Sequence, residues 1–105
     1  MSFGQIIAEA RKSAGLSQKD LAARIKKEDG GPISAQYLND IEHDRRNAPP
    51  EFLLKKFASE LNLSFEYLLF LAGEYPDDLK KEKAAHKPEE VEAAFRAFRK
   101  VLKGR

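Results

Sequence analysis

Cysteine is absent from this 105-residue chain, which excludes disulfides and thiolate metal sites. Long apolar runs are absent too. The longest, Tyr67 to Ala72, falls far below the ~18 residues needed to cross a bilayer. The opening MSFGQIIAEARK has no basic segment followed by an apolar stretch, so no export signal is read. A cytoplasmic protein with no membrane partner is expected. No glycine-rich phosphate loop and no nucleophile signature are found. His43 and His86 lie far apart, and Glu82 with His86 supplies too few ligands for a metal. The expectation is a protein that is not an enzyme, with no cofactor and no metal. Strand-like alternation does not rise above noise, which leaves an all-α fold.

At 42% hydrophobic and 34% charged residues, the chain is too apolar for ordinary disorder and long enough for one small domain with an appendage. The net charge of +2 says little alone, because nucleic-acid binding depends on clustering more than on the total. The clusters are Arg11-Lys12, Lys26-Lys27, Arg45-Arg46, Lys55-Lys56 and the basic tail.

A local pattern occurs three times. An apolar residue precedes a serine, and a leucine follows four positions after it: Leu16-Ser17 with Leu21, Ile33-Ser34 with Leu38, Leu63-Ser64 with Leu68. Each reads as a helix start, the hydroxyl capping free N–H groups while the apolar pair staples the first turn. The first two starts bracket two short helices between Leu16 and Glu42. The second carries the polar face Gln36, Asn39, Asp40, which is the layout of a helix-turn-helix DNA reader.

The spacing predicts a first helix over about residues 3–14, with Phe3, Ile6, Ile7 and Ala10 on one stripe and Gly15 as its left-handed exit. A second helix starts at Ser17 with a capping box completed by Asp20, burying Leu21, Ala22 and Ile25. Gly30-Gly31-Pro32 breaks it, and the two glycines predict a mobile loop over 26–32. The third helix, about 34–43, buries Leu38 and Ile41. The fourth, about 51–61, buries Leu54, Phe57, Ala58 and Leu61 and leaves through Asn62. The fifth, about 65–72, is apolar nearly all round and stops at Gly73.

After Gly73 the composition turns charged. We therefore divide the chain into a DNA-binding domain over 1–73, a charged linker with at most one short helix over 74–87, and a C-terminal helix over 88–105. Pro88 suits the first position of that helix, with glutamates near its start and basic residues near its end. Val91, Phe95, Phe98 and Leu102, joined by Ala94 and Val101, make an apolar stripe too wide to leave in water. Together with Phe70, the first four are the candidate dimerisation residues.

The sequence from Leu16-Ser17-Gln18-Lys19-Asp20-Leu21-Ala22 through Ile33-Ser34, Leu38 and Ile41-Glu42 to Pro49, Leu54, Phe57-Ala58, Leu61-Asn62-Leu63-Ser64 and Leu68-Leu69 resembles the phage repressor and Cro-like (Xre) helix-turn-helix family. The likeness covers about residues 3 to 73. It implies a five-helix DNA-binding domain, usually dimeric, that regulates transcription at a palindromic operator. By position, it implies that Gln18 anchors a backbone phosphate and that Ser34 caps the reading helix. Ala35, Gln36, Asn39 and Asp40 would face base edges. Arg11 with Glu42 would tie the first helix to the end of the third, and Arg45, Arg46 and Asn47 would approach the DNA backbone. The sequence departs from the family in the loop over 26–32, where the usual turn is tight.

Glutamine and asparagine can each contact adenine N6 and N7, and aspartate can accept from cytosine N4. Asp40 reads equally as a solvated residue or as a repulsive filter against wrong sites. Tyr37 reads as packing or as a backbone contact. Ser34 and Gln18, near helix starts, can also bind phosphate. The expected function is a dimeric regulator, more a repressor than an activator, with double-stranded DNA as partner. The alternative is an antitoxin that also binds a toxin and regulates its own operon.

Overall fold

The computed structural model describes residues 1–82 and 85–104 and divides them into two units, Met1–Tyr75 and Pro76–Arg105. The first unit holds α1 (Phe3–Ser13), α2 (Gln18–Arg24), α3 (Ala35–Glu42), α4 (Glu51–Leu61) and α5 (Phe65–Leu71). The second holds α6 (Asp77–Glu82) and α7 (Pro88–Lys103). Among the described residues the extended structure is limited to an isolated bridge between Lys26 and Pro32, so the fold is all-α.

Local chemistry sets the helix ends. Ser17, Ser34 and Ser64 accept from the backbone N–H groups of Asp20, Tyr37 and Tyr67, so all three expected caps are present. A fourth cap escaped the sequence reading. Ser2 accepts from Gln5 N–H, and the Gln5 side chain accepts from Ser2 N–H at 2.9 Å, completing a capping box. Asn62 ends α4 at φ 54°, in the left-handed region that a short polar side chain tolerates.

The core lies within the first unit. Ile7, Leu21, Ile25, Leu38, Ile41, Leu54, Phe57, Leu68 and Leu69 are sealed from solvent, joined by Ala22, Ile33, Leu53, Ala58 and Leu61. Each buried leucine or isoleucine contributes about 1.5–3 kcal/mol relative to exposure, so α3 is held by its inner face. Leu53 and Ile33 join the core that the periodicity outlined. Phe3, Ile6 and Ala10 are only half-buried at its rim.

The loop over 26–32 closes on itself, in place of the open, mobile segment expected from its glycines. Lys27 N–H donates to Gly31 O at 2.8 Å, Gly30 N–H to Lys27 O at 2.9 Å, and Gly31 N–H to the Asp29 carboxylate at 2.8 Å. Ile33 N–H then donates to Ile25 O at 2.9 Å, linking two buried side chains across the base. Asp29 and the left-handed Gly30 thus build a hydrogen-bonded turn, which the glycine count alone did not reveal.

In the second unit, the residues of α6 and α7 are exposed apart from a half-buried Lys80. Lys87 N–H donates to Glu90, and Pro88 opens α7 as expected. His86 stands between Glu82 (2.8 Å) and Glu90 (3.3 Å), whose hydrogen bonds raise its pKa above the ordinary range.

Gly4 sits where α1 meets the end of α3. A Cβ there would overlap the carbonyl oxygen of Ile41 and come within 2.6 Å of Glu42 O and 2.7 Å of the Asp44 carboxylate. Backbone oxygens cannot swing aside. Gly4→Ala should therefore lower stability by about 1–3 kcal/mol, despite the ~1 kcal/mol alanine gains in helix propensity. The urea midpoint measures it, and a midpoint that rises would show that the two helices can part at no cost.

Candidate nucleic-acid interface

The end of α3 is the organising point of the site. Its C-terminus closes with Asp44 N–H donating to Ile41 O at 3.1 Å and Arg45 N–H to Asp40 O at 2.9 Å, the Schellman pattern. That pattern needs a left-handed residue at position 44, and Asp44 adopts φ 55°. Its carboxylate accepts from Gly4 N–H at 2.9 Å and from the Ser2 hydroxyl at 2.5 Å, so the exit of α3 is clamped to the start of α1. The sequence reading missed this role of Asp44. The S-x-x-Q spacing of Ser2 and Gln5 could have revealed the cap, but no local signal links Asp44 to it.

On the inner side, Arg11 and Glu42 form the pair that the resemblance implied. Arg11 Nε donates to Glu42 at 2.6 Å and a terminal nitrogen at 2.9 Å, while the other reaches Leu16 O at 2.8 Å. The side chains are only 11% and 3% exposed. Hydrogen bonding to Glu42 raises the guanidinium pKa against the opposing effect of burial. Arg11 therefore leaves the basic cluster it forms in sequence with Lys12. Gln18 joins this network, its Nε2 donating to Asn39 at 3.1 Å and to Glu42 at 3.0 Å. Its side-chain amide thus bonds to the last turns of α3.

On the outer side, Ala35 and Gln36 are exposed, whereas Tyr37, Asn39 and Asp40 are half-buried. Gln36 Nε2 donates to Asp40 at 3.0 Å. Asp40 also faces Arg45 at 3.6 Å and Arg46 at 3.7 Å, and the Arg46 guanidinium lies 4.9 Å from the centre of the Tyr37 ring. Asn47 is exposed just beyond. Gln36, Tyr37, Asp40, Arg45 and Arg46 are thus brought together, with Ser34 at the mouth of α3, while Asn39 bonds to Gln18 at the inner edge. Of the dimerisation candidates, Phe70 belongs to the first unit, while Val91, Phe95, Phe98 and Leu102 lie exposed on α7 in the second.

Amide and carboxylate groups can pair with base edges, and guanidinium groups with phosphates. The helix-turn-helix family model matches residues 7–68, more than half of the chain and the whole of α2 to α4. The chain belongs to the Xre/Cro-like helix-turn-helix family. As a member of it, the protein is a DNA-binding transcriptional regulator. Its fold is similar to that in the solved SinR protein/SinI protein complex, at 23% identity and TM-score 0.54, covering 98% of this chain and 99% of that one. The search of curated proteins finds no match. Among the described residues, no helix is long and apolar enough to cross a membrane.

The buried pair makes a sharp prediction. Glu42→Ala leaves the Arg11 guanidinium enclosed without a counter-charge and should lower stability by about 3–5 kcal/mol. Arg11→Met with Glu42→Leu should cost much less. Equal losses in the single and double variants, read from urea midpoints, would mean that the pair acts only through packing volume.

Proposed function

We propose that this regulator is a dimeric repressor that reads a palindromic operator with α3, Gln36 and Asn39 carrying base specificity and Ala35 and Asp40 lining the same groove. The observation that supports this most is the division of α3 into two faces. Leu38, Ile41 and Glu42 lock one side into the core, while Gln36, Asp40, Arg45 and Arg46 crowd the other. Gln18, Ser34, Tyr37, Arg45, Arg46 and Asn47 serve as the phosphate-facing rim, and Gln18 also holds Asn39 from behind. The domain division at 1–73, 74–87 and 88–105 belongs to the same reading, with α7 supplying the dimer contact.

Selection from a random duplex pool tests it. The enriched site should be an inverted repeat with half-sites about 10–10.5 base pairs apart. Gln36→Ala should lose about 1–3 kcal/mol on that site and little on random duplex. Equal loss on both would make Gln36 a backbone contact.

Dimerisation through α7 rests on its exposed stripe of Val91, Phe95, Phe98 and Leu102. Among the described residues, every fully buried apolar side chain lies within Met1–Tyr75, so a chain ended at Tyr75 retains its core. That truncation should sediment as a monomer and lose operator affinity while still binding one half-site. A truncated dimer would move the interface to the first unit. A second reading, binding to another protein such as a toxin, draws support from the similar structure's being a complex of two different proteins. A full-length chain that stays monomeric alone would favour it.

A further inference from the structure

Asp40 has more cationic company than an aspartate on a DNA-facing helix needs. Its carboxylate accepts from Gln36 and stands beside both Arg45 and Arg46, the two guanidinium groups best placed to meet a phosphate. We infer that Asp40 is an internal phosphate mimic, a specificity-determining residue that occupies Arg45, Arg46 and Gln36 until the correct site releases them. This inference rests on α3 reading DNA.

The geometry separates this cluster from the structural pair nearby. Arg11 and Glu42 are sealed and meet at 2.6 and 2.9 Å. The Asp40 contacts to arginine are looser, at 3.6 and 3.7 Å, and the arginine side chains are 58% and 56% exposed. Exposed pairs of that kind contribute little to folding and exchange readily. Their placement is nonetheless enforced, because Arg45 N–H is bonded to the carbonyl of Asp40 itself and Asp44 clamps the turn to α1. Tyr37 supplies a face for Arg46 on the same side. The cluster holds two positive charges against one negative, so the carboxylate cancels half of its attraction for any duplex.

The chemistry then couples base to backbone. Opposite a cytosine, Asp40 accepts from the N4 amino group, and a carboxylate so engaged yields its arginines to flanking phosphates. Opposite guanine O6 and N7 or thymine O4, acceptor faces acceptor. The carboxylate is repelled from the edge and keeps its arginines. Random sequence is disfavoured twice, by lost base contacts and by withheld phosphate contacts.

Asp40→Asn tests this, since it preserves the shape and the Gln36 hydrogen bond while removing the charge. Affinity is measured across salt on random duplex and on the selected site. On random duplex the variant should bind more tightly, with its log–log salt slope steeper by about 1–2, each regained phosphate contact adding about 0.9. Each such contact corresponds to an extra loss of about 3.5-fold between 50 and 200 mM salt. Discrimination between site and random duplex should fall. In an Arg45→Ala, Arg46→Ala background, Asp40→Asn should leave the random-duplex slope unchanged. An unchanged slope in the single variant overturns the mimic, as does an equal steepening without the arginines. A wild-type chain that selects no sequence would overturn the reading of α3 instead, and the random-duplex measurements would still decide the role of Asp40.

Discussion

The position of α3 depends on the burial of one ion pair. Arg11 reaches from α1 to Glu42 at the last turn of α3, and with its remaining nitrogen takes the carbonyl of Leu16, which leads into α2. Three helices are thereby referred to one guanidinium. A planar group with donors in a fixed fork suits this task in a way an ammonium does not, since each partner direction is set by the plane of its three nitrogens. Gln18 extends the arrangement to Asn39, so a residue on the inner edge of α3 is oriented from behind. Apolar packing alone would hold the helix against the core without setting its rotation so closely.

The same residue types do opposite work a few ångströms away. Enclosed, an arginine and a glutamate meet tightly and make structure. Nearer the surface, half-buried Asp40 and its two exposed arginines meet loosely. Solvent access decides between these outcomes. In water, side-chain entropy and screening leave an ion pair near neutrality, while an enclosed pair cannot be broken without stranding a charge. This protein uses both regimes side by side.

Much of this was legible in the sequence because it is local. Caps act within three residues, so Ser17, Ser34 and Ser64 announced α2, α3 and α5, and the spacing of Leu54, Phe57, Ala58 and Leu61 outlined α4. The polar face of α3 followed from the same periodicity. What stayed hidden spans long separations in the chain. Asp44 bonds to Ser2 and Gly4, some forty residues earlier, and neither residue carries a periodic signal of that meeting. Gly4 carries no local signal of its role, and only the approach of α3 makes its missing side chain necessary. Arg11 read as part of a basic cluster until the fold enclosed it, and the pairing with Glu42 came from family likeness. The hydrogen bonds of the turn over 26–32 were hidden because its glycines suggest only freedom, whereas Asp29 and the Ile25–Ile33 pair supply partners.

That turn has a consequence for how the chain can change. Its two ends are anchored at buried isoleucines, and the residues between them are mostly exposed. Lengthening such a segment costs only slowly increasing closure entropy, about 0.6 kcal/mol for each doubling. The helices on either side would not register the difference. Between α2 and α3 this protein carries a site at which length itself is close to neutral, and new surface can be added there without disturbing the helix beside it.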